Sequence, residues 1–334
     1  MRFPLSLYTS MTAFFMKNAF EGKKRFPLVL MLEPTHRCNL ACAGCDRIRL
    51  HGEAQTTDLT FEECIGAVVE SGAPVVTVTG GEPLLYRELK PLVKELLKMK
   101  RQVYLCTNGL LAGPFIEEFR PHQRLTLNFH LDGMEETHDS ITNMPGTFKN
   151  TIEAIKKAKK KGFRVSTNTS VYKNSDIREL ESLFNLLQSI HVDGTLISPA
   201  FSYERVQDDI FLSRDEAISK FKQMADFFTR FPFMNSPLYV DFLKGLRQMR
   251  CTPWGNPTRN PLGWKSPCYL ITDTYYRSFG EMMEKTLWER YEAGNDQRCK
   301  DCMVHSGYEA TAMRDAFSNP KDLFRLVLWN LKKT

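Results

Sequence analysis

No stretch of this chain carries 18 or more consecutive apolar residues, so no membrane-spanning helix is expected. Nor does it hold a block of Lys and Arg interleaved with aromatics. The net charge of +6 is mild, which argues against a nucleic-acid groove. The first residues, "MRFPLSLYTSMTAFFMKNAF", are apolar in short runs broken by polar side chains, and no A-x-A cleavage site follows. A signal peptide is therefore not expected. Disorder is not expected either. With 42% hydrophobic and 25% charged residues over 334 positions, the chain has the composition of a folded protein with a sound core.

These absences bear on the nine cysteines. In the reducing cytoplasm that the missing export signal implies, they read as metal ligands or reactive thiols rather than disulfide partners. Seven fall into two groups. "EPTHRCNLACAGC" spaces Cys38, Cys42 and Cys45 as CxxxCxxC, and far downstream stand Cys251, Cys268, Cys299 and Cys302.

Apolar runs of strand length recur at 28–34, 74–83, 102–109, 124–133, 163–171 and 192–199, each ending in a polar or glycine-containing loop. Between them, 60–72, 88–100, 148–162 and 175–190 carry apolar residues at three- and four-residue spacing, the signature of amphipathic helices. Strands alternating with helices predict an α/β fold, a parallel sheet with helices outside, here a partial (β/α)6 barrel. The lysines from 156 to 161 read as the solvated face of one outer helix. After residue 200 the rhythm stops. One helix is expected over 213–231, then a Pro-, Gly- and Asn-rich segment, "CTPWGNPTRNPLGWKSPC", and a short closing helix. The divisions expected are 1–25, an amphipathic segment; 26–235, the barrel; and 236–334, a cysteine-containing extension.

Three thiolates on one loop suit a 4Fe–4S cluster whose fourth iron stays open to a ligand from outside the protein. A zinc site completed by His36 is the competing reading, since Cys/His zinc sites share such short gaps.

"CNLACAGC", "GGEP", "TNG" and "HLDG", at the ends of four successive strands, resemble the motifs of the radical S-adenosylmethionine (SAM) superfamily in order and separation. The resemblance implies that the open iron chelates SAM, and that an electron from the cluster cleaves it to methionine and a 5'-deoxyadenosyl radical. It implies SAM-binding roles for Gly80, Gly81, Glu82, Asn108, Asp132 and Asn168. Glycines would let backbone approach the ligand, and Glu82 would receive the methionine ammonium. In one respect the chain departs from the superfamily. Gly44 stands before the third cysteine, where an aromatic is usual near the adenine.

Cys251 and Cys268 flank Gly263 in a C-x11-G-x4-C element similar to the opening of SPASM and Twitch extensions. With Cys299 and Cys302 they are expected to close a second 4Fe–4S cluster, zinc being the alternative. Cys64 reads as a small core residue, and Cys106, beside "TNG", as a thiol able to quench a carbon radical.

"KRFPLVLMLEPTHRCNLACAGC", "SGAPVVTVTGGEPLL", "VYLCTNG", "CTPWGNPTRNPLGW", "PCYL" and "CMVHSGYEA" together, across nearly the whole chain, resemble the adenosylhopane synthase (HpnH) family of hopanoid biosynthesis. That likeness implies a transferase adding the adenosyl radical to the alkene of a polycyclic isoprenoid lipid, diploptene, with SAM as co-substrate. The alternative is a SPASM-type enzyme abstracting hydrogen from a peptide or another small molecule. The implied partners are an apolar isoprenoid substrate and a flavodoxin, ferredoxin or reductase as electron donor. A cytoplasmic protein is expected, with peripheral contact at the inner membrane face through its amphipathic ends.

Overall fold

The computed structural model describes residues 5–45, 56–292 and 294–331. Six strands, β1 (Val29–Thr35), β2 (Val75–Gly80), β3 (Gln102–Thr107), β4 (Leu125–His130), β5 (Arg164–Val171) and β6 (Gly194–Pro199), pair in chain order and all in parallel. β1 is buried along nearly its whole length, as a parallel strand covered on both faces must be. The helices Phe61–Ser71, Leu89–Lys98, Thr147–Lys160 and Ile177–Ser189 bury apolar stripes against the sheet. The first starts in a Thr60/Glu63 capping box and stops at Gly72, whose φ of +64° a side chain would strain. The expected α/β partial barrel is the fold the chain adopts.

Beyond residue 200 the structure is richer than its sequence pattern. The segment 213–231 is two helices, Arg214–Gln223 and Phe227–Arg230. The chain turns between them so that Phe227 and Phe231 join Phe184 in an aromatic cluster. Three further strands, β7 (Thr258–Asn260), β8 (Gly263–Pro267) and β9 (Thr272–Tyr276), extend the same sheet from the outer edge of β1, giving the order β6-β5-β4-β3-β2-β1-β7-β8-β9. β7 is parallel to β1, and β8 and β9 follow antiparallel. Gly263 is needed for this turn. Its φ is +131°, and a Cβ there would stand 2.7 Å from the Tyr276 carbonyl oxygen.

The helix His305–Ser318 crosses the open side between β6 and β1. At its start His305 Nδ1 is 3.2 Å from Ser198 Oγ on β6, and further along Ala310 packs with Leu28 and Val75. The N-terminal helix Leu5–Phe20 docks beside it through Met11 and Phe15, the latter stacked on Phe317 at 4.3 Å. Among the described residues no helix is long and apolar enough to cross a membrane. Cys64 lies in the core, as its helical position predicts.

Candidate active site

The cysteine loop leaves β1 at Thr35 and is tied to the ends of β2 and β3 and to the C-terminal end of the helix Glu135–Thr142. Gly81 N donates to Thr35 O at 3.0 Å and Glu82 N to Arg37 O at 2.8 Å. Asn108 Nδ2 donates to Asn39 Oδ1 at 2.8 Å, Asn143 Nδ2 to Ala41 O at 2.6 Å, and Ala43 N to Ile141 O at 2.8 Å. Arg37 forks onto Asp58 and also donates to Leu85 O. The glycines of the second motif serve this packing. A Cβ on Gly80 would stand 2.5 Å from Thr35 O, and one on Gly81 would fall on the carbonyl of Arg37. In this structure the atoms that a Cβ at either glycine would meet belong to the chain's own loop.

Cys38, Cys42 and Cys45 all line one chamber of about 530 Å³. Burial, then the neighbouring charges, pushes the Cys38 thiol up to about 11 and the Cys42 thiol to about 12. Such thiols stay protonated at neutral pH until a cation draws the proton off. His36 turns away from them. It is buried, with Nε2 3.5 Å from Glu33 Oε2, and is not part of the chamber wall.

Glu82 is buried and fully engaged: Thr107 Oγ1 and Leu84 N donate to Oε1, and Asn108 N donates to Oε2. It thus welds the ends of β2 and β3 together. Burial raises its pKa, opposed by the hydrogen bonds from Asn108, Leu84 and Thr107. Asp132 binds His130 Nε2 at 2.6 Å and accepts from Ser170 N at 2.7 Å. Burial works to lower the pKa of His130, but the charge and hydrogen bond of Asp132 outweigh it and raise it. Asn168 Nδ2 lies 3.4 Å from His130 Nδ1, while Asn168 Oδ1 is buried on the chamber side without a hydrogen-bond partner. Cys106 Sγ accepts from Asn128 Nδ2 at 3.4 Å, and burial holds its thiol up at about 11.

Sequence reasoning passed over three chamber residues. His130 and Asp132 share a face because they lie two apart on an extended chain, a spacing visible in "HLDG". Tyr172 and Glu309 carried no comparable signal. Below the rim the chamber becomes mostly apolar, walled by Leu28, Met31, Val75, Tyr104, Met234 and Met313, and it ends against the N-terminal helix at Leu7 and Met11.

Cys251, Cys268, Cys299 and Cys302 line a second cavity of about 390 Å³. Burial and the other three sulfurs raise the Cys251 thiol well above its usual range. Ser306 lies on the same wall. Phe201, Asn256, Tyr269, Leu270 and Ser306 line both cavities, so a single layer of side chains separates the one from the other. Among the described residues no three His, Cys, Asp or Glu side chains close around a single ion. The sulfurs stand instead around spaces able to hold a multi-atom group. Soft donors on a roomy cavity, with an orphaned polar oxygen nearby, fit an iron–sulfur cluster and a polar ligand beside it.

Residues 32–187 match the model of the radical SAM superfamily, and residues 195–326 match a domain of unknown function (DUF3463). The chain is similar to an AdoMet-dependent heme synthase of Methanosarcina barkeri (strain Fusaro / DSM 804), 31% identical over 169 residues, 49% of this chain and 48% of the relative. It thus spans about half the length of that relative. It is also similar to the antilisterial bacteriocin subtilosin biosynthesis protein AlbA of Bacillus subtilis (strain 168), 26% identical over 315 residues, 86% of this chain and 68% of AlbA. In fold it is similar to SuiB of Streptococcus suis. The SuiB structure bound to precursor peptide SuiA gives a TM-score of 0.64 at 14% identity, covering 83% of this chain and 67% of SuiB. The one bound to S-adenosylmethionine gives 0.63 at 15%, covering 90% and 77%. Neither of the named sequence relatives, nor SuiB, is a hopanoid enzyme by name.

Proposed function

We propose, from the premise that residues 32–187 belong to the radical SAM superfamily, that the protein is a radical SAM enzyme acting on an apolar substrate held beneath its cysteine loop. The single observation that carries the substrate class is the wall of the 530 Å³ chamber, mostly apolar below the rim, with Asn128, Ser198, Ser236, His305 and Glu309 as polar points among Leu28, Met31, Val75, Tyr104, Met234 and Met313.

That superfamily uses a 4Fe–4S cluster and SAM, which when bound supply a 5'-deoxyadenosyl radical. Cys38, Cys42 and Cys45 would hold the cluster, leaving one iron for SAM. Asn168 Oδ1 would accept a hydrogen bond from the SAM ribose or amino group, the partner it lacks within the chain. Asp132, with His130 bound to it, would face the ribose hydroxyls. Gly80, Gly81, Glu82 and Asn108 would act on SAM mainly by fixing the loop that surrounds it. Cys251, Cys268, Cys299 and Cys302 would hold a second 4Fe–4S cluster in preference to zinc, because their shared cavity is larger than one ion needs.

Two outcomes for the radical are open to such a site. The comparisons back hydrogen abstraction from a peptide or other small molecule better than adenosyl addition: AlbA takes part in bacteriocin biosynthesis by name, and SuiB was solved with a precursor peptide. The apolar chamber favours the second outcome, addition to the alkene of a polycyclic isoprenoid such as diploptene. There Cys106 would give its Sγ hydrogen atom to the carbon radical left after addition, becoming a thiyl that an external donor returns to the thiol with one electron and one proton. A flavodoxin, ferredoxin or reductase would supply the electrons. Exposed Phe324, Val327, Leu328 and Leu331 on the helix Pro320–Leu331 would suit peripheral contact with a membrane holding such a lipid.

Anaerobic incubation of iron-loaded protein with SAM, a reductant and a lipid extract, followed by mass analysis, separates these outcomes. An adenosine-sized mass added to a lipid supports addition. Free 5'-deoxyadenosine in step with an oxidised product supports abstraction. No consumption of SAM by the loaded protein overturns the enzyme reading itself.

A further inference from the structure

We propose that Tyr172 forms the aromatic wall against which the adenine of SAM lies, and that position 44 is glycine in order to admit its ring. The inference rests on the radical SAM reading above and adds a residue that the motifs do not contain.

A Cβ built on Gly44 would stand 2.8 Å from Tyr172 Oη and 3.0 Å from Cε1. Real Cβ atoms do not approach a neighbour so closely, so a side chain at 44 and the ring of Tyr172 compete for one volume. Tyr172 takes it from another element, directly after the end of β5 at Val171. The ring faces the same chamber as Cys42, Gly44, Cys45 and Asp132. It is therefore an aromatic surface in contact with the cysteine loop, beside the carboxylate that would face the ribose.

The placement is enforced by the backbone. Tyr172 N donates to Ser175 Oγ at 2.9 Å. Lys220 Nζ donates to three carbonyl oxygens in this turn, Tyr172 at 3.1 Å, Lys173 at 2.7 Å and Ser175 at 2.9 Å. Phe211 supports the ring from 6.3 Å at a 43° tilt. A ring held this way loses little freedom when a planar purine is laid on it, and purine–aromatic stacking changes affinity on the order of tenfold.

The test is equilibrium binding of SAM to anaerobically iron-loaded protein without reductant, with iron content and L-methionine binding measured alongside. Tyr172→Leu is expected to weaken SAM binding about tenfold while iron content and methionine binding hold, and Tyr172→Phe to stay near wild type. The exchange Gly44→Tyr with Tyr172→Ala is expected to recover most of the affinity, whereas Gly44→Tyr alone disrupts the loop and loses iron. The inference is overturned if Tyr172→Leu binds SAM as wild type does. It is equally overturned if methionine binding or iron falls in proportion to SAM binding, since Tyr172 would then only prop the loop. Wild-type protein that holds iron but binds no SAM overturns the parent reading along with it.

Discussion

The amide of Asn108 reaches across from the tip of β3 to the middle of the cysteine loop, where Nδ2 donates to Asn39 Oδ1 at 2.8 Å. Asn108 is also fixed at both ends of its own residue: its N–H goes to Glu82, and its carbonyl accepts from Thr151 Oγ1. A loop carrying three cysteines is thereby referenced to the rigid sheet. Asn108→Ala removes the bridge and leaves the backbone bonds, a loss of about 1 kcal/mol. The expected result is a several-fold faster loss of iron to a chelator with unchanged circular dichroism. Wild-type kinetics of iron loss would count against the bridge.

Counting metal separates the two cysteine sets. Each cubane holds about four irons. Cys42→Ala is expected to lower iron by that amount and to abolish SAM cleavage. Cys268→Ala is expected to lower it by a similar amount while SAM still binds. If Cys268→Ala instead removes about one zinc and no iron, the second site is a zinc site.

A pH dependence follows from Glu309, whose carboxyl opens on the chamber and accepts from Ser236 N at 2.8 Å. Burial raises its pKa from 4.5 to about 7, against the opposing hydrogen bonds of Ser236 and Asn235. Between those values the unfolded chain has released this proton and the folded chain keeps it, so stability falls as pH rises from 4.5 through about 7. Glu309→Gln cannot ionise. Thermal midpoints measured from pH 5 to 8 should fall less steeply for the variant than for wild type, with the gain largest at pH 8. Parallel curves would mean that Glu309 titrates normally.

Two glycines, one in the bend after β2 and one within a helix, should respond oppositely to alanine. At Gly81 the new Cβ falls on the Arg37 carbonyl, and a loss of about 2–4 kcal/mol is expected in denaturant unfolding. At Gly113, inside the helix Ala112–Glu118, nothing lies within 4 Å, and Gly113→Ala should stabilise by up to about 1 kcal/mol.

The six parallel strands were legible because each is a buried apolar run punctuated by glycine or polar residues, and each begins and ends within two or three residues of its expected place. The first cysteine grouping was equally plain, since the CxxxCxxC spacing of Cys38, Cys42 and Cys45 is a local property of one loop, whereas Cys251, Cys268, Cys299 and Cys302 are gathered only by the fold. What lay hidden depends on contacts between distant segments. β7 is three residues of Thr-Arg-Asn with no strand-like pattern, and it exists because β1 offers an unpaired edge. The helix His305–Ser318 is weakly patterned because one face lines the chamber while the other meets the extension. Gly80 and Gly81 read in the sequence as places where backbone approaches a ligand, and only the fold reveals that Thr35 and Arg37 of the chain itself stand there. Gly44 reads in the sequence as a missing aromatic. In the structure it is a vacated volume with Tyr172 in it.

The pairing of β1 with β7 also sets a timetable for synthesis. Met31 and Leu32 find their partners Thr258 and Arg259 only about 225 residues later in the chain. At roughly 5–20 residues per second, the ribosome takes on the order of 10–45 s to deliver them. Throughout that interval an apolar strand with unpaired N–H and C=O groups stands at the margin of a growing sheet, a template for pairing with another nascent chain. β7 lies between Cys251 and Cys268, so the segment that ends this exposure is also one that carries half of the second cysteine set.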